Sequence, residues 1–305
     1  MFINATRVSL DEPTYRAEKR WSISQIKHLA PPAKPEWFHG LYVADPPLFE
    51  FDETKDMLFG TCCHAEFLEG KECHQVPDWA LTSNGQRRGN KWEAYQVDHS
   101  AIDCLTAKEY AAVQGIRRSI ESQDRIANLL WGFGHTELPI FAEDKETGLL
   151  VKGKLDKLRV LSEGMILPDF KVTSIDCDDA RKVSLKIFEM KYHLQIAFYR
   201  DLVTAAFGQT PLSCLLIFAR SKPPYTVRAW TFNENDVDLG ARRYRVALDE
   251  LKRRLDTNVW NNEARHNELN YGPDGMLLPN WAYTDDPADN GPVIYSEFEQ
   301  FSYSS

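Results

Sequence analysis

No stretch of this sequence approaches the ~20 consecutive apolar residues that a membrane-spanning helix needs, so no membrane span is expected. The opening residues, MFINATRVSLDEPTYRAEKR, hold no apolar core of the kind a secretion signal carries, and a cytoplasmic location is expected. The six cysteines (Cys62, Cys63, Cys73, Cys104, Cys177 and Cys214) include no C-x-x-C pair. That argues against zinc or iron–sulfur ligation. A chain this large without a signal has little use for a disulfide framework, so reduced thiols are expected. There is no G-x-x-x-x-G-K-[ST], no H-E-x-x-H and no G-x-S-x-G, which argues against a P-loop NTPase, a zincin and an α/β-hydrolase. Internal repeats and Gly/Ser linkers are missing too.

Lys and Arg are absent from residues 267–305, which carry seven acidic side chains. The whole chain has a net charge of −9, and discounting those seven leaves −2 for residues 1–266. A near-neutral body can carry a local basic surface, so the acidic total does not by itself remove nucleic acid as a partner. The expected organisation is a single domain over 1–266 and an acidic, aromatic tail over 267–305, docked or flexible. Such a tail could mimic DNA or bind a basic partner.

What is present is a large apolar complement: 305 residues, 43% of them hydrophobic, enough for a substantial core. WSISQIKHLAPPAKPEWFHG reads as a short helix starting near Ser22 or Ser24 and stopped by Pro31 and Pro32. FGTCCHAEFLEG reads as a helix with Thr61, His64, Ala65 and Leu68 on one face. TSNGQRRGNKWEAY is a polar, Gly-rich loop, and residues 107–131 have helical spacing. TELPIFAED, LLVKGKLDKLRVL and MILPDFKVTS then read as strands. One long helix is expected over 180–207, a second strand pair in LSCLLIFAR and YTVRAWTF, and a charged helix over 235–256. Helices, strands, helix, strands, helix predict an α/β (α+β) fold with a mixed central sheet flanked by helices.

The strand ILPDFKVT holds two residues that are costly to bury alone, Asp169 and Lys171. Residues two apart on a strand share a face, so both stand with Leu167 and Thr173. A hairpin turning at Ser162 and Glu163 sets Asp156 of the preceding strand opposite Asp169. Directly opposed like charges destabilise a strand pair. A hard divalent cation would offset them and could activate water against a phosphodiester, with Lys171 stabilising the developing charge. An ordinary solvated hairpin, with Lys171 neutralising Asp169, accounts for the same residues, and a one-residue slip would separate the aspartates.

Other positions carry the same two readings. Gln195 interrupts a helical stripe of Leu185, Phe188, Tyr192, Tyr199 and Leu202, either bonded to a polar site or at the edge of the stripe. His64 is a metal or phosphate contact, or a satisfied core histidine. Glu137 joins the cation site or is an exposed strand end. Arg87, Arg88 and Lys91 beside Trp92 suit a nucleic-acid backbone, or a solvated loop.

In order, SISQIKHL, GTCCHAEFLEG, TELPIF, VKGKLDKL, LPDFKVTS, YHLQIAFY and LPNWA resemble the elements of the exodeoxyribonuclease VIII (RecE-like) branch of the P-D-(D/E)-x-K nuclease superfamily. The second motif continues KVT where KTT is usual, and GKLDKL stands in place of a more Arg-rich segment. The resemblance implies a restriction-endonuclease-like fold and an exonuclease that resects linear double-stranded DNA, 5′→3′, using Mg²⁺ or Mn²⁺. It implies Asp156 and Asp169 as metal carboxylates, Lys171 as the catalytic lysine, and His64 at the metal, with Glu137 matching an acidic position before the core strands. Gln195 and Tyr199 would support the site and touch DNA or the lysine strand. A homo-oligomeric ring and a RecT-like single-strand annealing partner in recombination or repair are also implied. An endonuclease or single-strand nuclease on the same fold, or a catalytically silent DNA-binding scaffold, are the alternatives.

Overall fold

The computed structural model describes residues 1–52 and 54–261. The acidic tail and its LPNWA segment lie outside the described residues. The elements run β1 (Phe2–Arg7), α1 (Glu12–Ala17), β2 (Trp21–Ser22), α2 (Ile23–Ile26), α3 (Pro35–Tyr42), α4 (Lys55–Phe67), α5 (Asn90–Asp98), α6 (Ala107–Glu121) and α7 (Asp124–Trp131). After them come β3 (Gly134–Asp144), β4 (Leu150–Val160), β5 (Met165–Thr173), α8 (Ala180–Glu189), α9 (Tyr192–Phe207), β6 (Ser213–Arg220), β7 (Val227–Thr231) and α10 (Glu234–Thr257).

The strands form one mixed sheet in the order β1-β3-β4-β5-β6-β7, with the short β2 pairing parallel to β4. Neighbours are antiparallel except β5 and β6. That pair is parallel because α8 and α9 make the crossover a parallel connection needs. Apolar side chains cover both faces. One core joins α2, α9 and α10 to Leu155, Leu167, Leu216 and Phe218, and the other joins α4, α6 and α7 to Phe170, Leu215 and Ile217. The α/β architecture with a mixed, helix-flanked sheet is thus the one the sequence predicts. Among the described residues, no helix is long and apolar enough to cross a membrane.

Three local expectations need correction. The helix over 180–207 is two helices, because Lys191 turns left-handed (φ 56°) and its ammonium ties down the carbonyls of Lys27 and Ala30. Leu185 and Phe188 therefore leave the stripe and lie exposed, while Tyr192, Tyr199 and Leu202 stay buried. The run 107–131 also breaks into two, at Ser122 and Gln123. In the polar segment, the loop ends at Gly89 and Asn90 starts α5. Strand β1 is an addition: Phe2 packs edge-on against Phe198 of α9, a long-range partnership that local patterning does not encode.

α9 and α10 pack closely at Gly240. A Cβ there would enter the His193 carbonyl and crowd Ala197. Gly240→Ala should therefore cost about 1–3 kcal/mol, read as a lower urea midpoint at constant m-value. His193 itself is buried with Nε2 unpartnered. Burial, with the Arg243 charge behind it, pushes its pKa down to about 4 from 6.5. The unfolded chain then binds more protons than the folded one between those values, so this stability is complete above pH 6.5 and is lost as pH falls towards 4. His193→Phe should make that acid limb shallower in stability curves taken across pH 4–7.

Candidate active site

β4 and β5 form the anticipated hairpin: Arg159 faces Ile166 and Val160 faces Met165, the register that points Asp156 towards Asp169. Past those two rungs the backbone ladder stops, and a side chain takes its place. Asp156 Oδ2 accepts the Phe170 N–H at 2.8 Å. The strand pairing thus gives way where the two aspartates stand.

A second irregularity places Glu137. β3 and β4 keep one register on either side of the rung that would join Glu137 to Asp156, from Thr136↔Lys157 to Leu138↔Leu155, but that rung itself is missing. Glu137 has φ 48°, a left-handed backbone that costs a β-region residue strain and recurs at functional sites. The two-residue alternation slips here. Leu155 and Leu158, three apart, both enter the α9-side core. On β3, Leu138 packs against that core and His135 packs on Phe207 of α9.

His64 of α4 approaches from the other side of the sheet. Its Nε2 lies 3.0 Å from the Phe170 carbonyl and donates to it, which leaves Nδ1 facing Glu137 Oε1 and Asp156 Oδ1, each at 3.8 Å. Ligand atoms of His64, Glu137 and Asp156 all lie within 4.8 Å of one another. One imidazole nitrogen and two carboxylate oxygens make a donor set for a hard or borderline divalent cation. The fit is supported by Glu137 Oε1, which is buried and, among the described residues, has no hydrogen-bond partner. The other oxygen, Oε2, is held by Lys154 Nζ at 2.6 Å, and Lys154 is held in turn by Glu12 at 2.6 Å. Lys154 was not singled out in the sequence. Its place on the strand two residues before Asp156 was the only available signal.

Asp169 lies deeper, its side chain 1% exposed, and is not one of the trio. It is ion-paired with Lys171 through Oδ2, and its Oδ1 accepts from Gln195 Nε2 at 3.3 Å. Lys171 Nζ also lies 3.8 Å from Asp156 Oδ2 and 5.5 Å from the Tyr192 ring centroid. The charges are tightly linked. Burial first, then the Asp156 charge, push Asp169 up to about 7. Burial opposes the charge on Asp156, but His64, Lys171 and the Phe170 N–H hold its pKa below the ordinary value. Burial likewise opposes charge on His64 and on Lys171. The carboxylates outweigh it, so both pKa values are raised. A cluster that draws positive charge onto a histidine is one that favours a cation.

The remaining expected residues divide. Tyr199 is buried beside Gly153, where a Cβ would come within 3.0 Å of its ring, one turn along α9 from Gln195. Burial leaves it a support for Gln195 rather than a surface for DNA, a correction to that part of its expected role. Arg87 is also committed internally, donating to the Cys104 carbonyl at 2.7 Å and to Glu109 at 3.1 Å. Arg88 and Lys91 are exposed. None of the three makes a described contact with the acidic cluster.

The mixed, helix-flanked sheet, with Asp156 on β4 and Asp169 and Lys171 on β5, is the architecture of a PDDEXK-like domain. The chain belongs to the family described as a PDDEXK-like domain of unknown function (DUF3799), which matches residues 22–270. Among solved structures, that of a "putative exonuclease" from Eubacterium rectale is similar, with 15% identity over 91% of this chain and 99% of its own and a TM-score of 0.58. At that identity the likeness concerns the fold. A second structure, with 16% identity over 66% of this chain and 87% of its own, has a TM-score of 0.29. No curated protein sequence matches the chain.

Proposed function

We propose that this protein is a divalent-metal-dependent deoxyribonuclease, an exonuclease of the exodeoxyribonuclease VIII (RecE-like) kind that hydrolyses linear double-stranded DNA from its ends, 5′→3′, in recombination or repair. The observation that carries the chemistry is the convergence of His64, Glu137 and Asp156 beside the Asp169–Lys171 pair. The family and the described neighbour agree with a nuclease. End specificity and polarity rest on the ordered resemblance of the motifs, as do a closed homo-oligomer around DNA and a RecT-like annealing partner.

His64, Glu137 and Asp156 would hold Mg²⁺ or Mn²⁺, with Asp169 behind them. Such an ion supplies Lewis acidity and a water nucleophile at neutral pH. The chain's own residues prepare the rest. The Phe170 carbonyl fixes the His64 ring, and Lys154 fixes the Glu137 carboxylate. Lys171 keeps its proton at neutral pH because its pKa is raised, so it serves as a positive charge and hydrogen-bond donor and not as a base. Gln195 holds Asp169, and through it the lysine, with the buried Tyr199 one turn further along α9. Preorganised charge of this kind is usually the largest single contribution to such a reaction.

The test is incubation of linear and covalently closed circular duplex DNA with the protein, with Mg²⁺ and with a chelator. Loss of the linear form alone, and only with metal, is expected. Cutting of circles would replace the exonuclease reading with an endonuclease. Persistence of both forms with Mg²⁺ would leave a DNA-binding scaffold.

A further inference from the structure

Three cations of β4, Lys152, Lys157 and Arg159, are buried at 6%, 5% and 5% exposure, and among the described residues none has an acidic partner within ion-pair distance. Arg159 is satisfied by neutral groups: the Phe133 carbonyl and Asn128 Oδ1, with space left by Gly132, where a Cβ would collide with the guanidinium. Lys152 is caged by the carbonyls of Tyr15, Arg16 and Glu18. Among the described residues, Lys157 has one hydrogen-bond partner, the Thr136 hydroxyl at 3.0 Å. A buried ammonium this poorly compensated is expensive for the fold.

Lys157 and Thr136 line a cavity of about 640 Å³, together with Glu66, Lys71, Arg117 and Trp131. Glu66 does not neutralise the lysine, because its carboxylate is already taken by Arg117 and by the Cys73 N–H at 2.6 Å. Lys71 is paired with Glu69. The Trp131 indole is fixed by donation to the Phe67 carbonyl at 2.9 Å, yet 42% of the residue is exposed. The rung Thr136↔Lys157 directly adjoins the missing rung of Glu137 and Asp156, and strand residues advance about 3.3 Å each. The cavity thus begins one residue from two of the three candidate metal ligands.

We propose that this cavity is a nucleotide subsite, which holds the phosphate of one deoxynucleotide on Lys157 and stacks its base on Trp131. It rests on the nuclease reading for its biological meaning, as the place where the end nucleotide sits during or after cleavage. Its existence as a phosphate site does not depend on catalysis. An indole face accepts any base, so the site would read phosphate and not sequence.

The test is calorimetric titration of the full-length protein in chelator, with 5′-deoxynucleoside monophosphates, 3′-monophosphates and unphosphorylated deoxynucleosides as probes. One or both monophosphates should bind, and the nucleosides at least tenfold more weakly. The preferred phosphate position then gives the strand direction in the cavity. Lys157→Met should weaken monophosphate binding at least tenfold without a lower melting temperature, because it removes an unpaired buried charge. Lys157→Arg should retain binding, and Trp131→Ala, at a partly exposed ring, should weaken nucleotides but not inorganic phosphate. Absence of monophosphate binding, or equal binding by wild type and Lys157→Met, would overturn the subsite. Metal-dependent cleavage by the same wild-type preparation would show that the nuclease reading survives that outcome.

Discussion

Lys171→Met is expected to lower metal-dependent hydrolysis of linear duplex DNA by about 10²–10³-fold or more, the loss seen when one preorganised donor to developing charge is removed. The protein should stay folded, with Asp169 taking up a proton in place of its lost ion-pair partner, because burial already holds its carboxyl up to about 7. Affinity for Mn²⁺ should not fall, because Lys171 is a cation and removing it relieves repulsion. That pairing of results separates a charge that acts on the reacting phosphate from a residue that merely supports the fold. A fully active Lys171→Met protein would remove the proposed mechanism.

Glu137→Gln should act in the opposite order. It deletes the one carboxylate of the trio whose Oε1 is buried without a partner. Partners one step removed from a metal are typically worth 10–100-fold in affinity, and a direct ligand should be worth at least as much. Calorimetry with Mn²⁺ should show that loss, with hydrolysis falling in parallel and partly recovering at high metal concentration. Stability should not fall with it. The left-handed backbone at Glu137 costs about 1–3 kcal/mol, and Glu137→Gly, which relieves that strain, should melt above Glu137→Ala. A residue whose removal is harmless to folding and harmful to metal binding is placed for function.

Much of this was readable in the residues. The hairpin register followed from the turn at Ser162 and Glu163, because alternation allows only one phase that buries Leu167 and Phe170 on their own sides. The sheet's flanking helices followed from periodicity. What periodicity could not give was every place where it fails. The slip at Glu137 and Asp156, the left-handed Lys191 and the replacement of a backbone rung by the Asp156 carboxylate are departures from regular structure. Each is held by partners distant in sequence. Lys154, bridging Glu12 to Glu137, and Lys157, buried without a counter-charge, look like ordinary strand lysines until the other chain segments are in place. Arg87 shows the converse. A basic loop beside a tryptophan suggested a nucleic-acid surface, but an internal carbonyl and Glu109 take its guanidinium.

The most direct measurement is anomalous diffraction from crystals of the protein soaked in Mn²⁺. One peak bounded by His64 Nδ1, Glu137 Oε1 and Asp156 Oδ1, with Lys171 alongside and unligated, is predicted. A peak away from all three side chains, or none at a concentration that supports hydrolysis, would contradict the account.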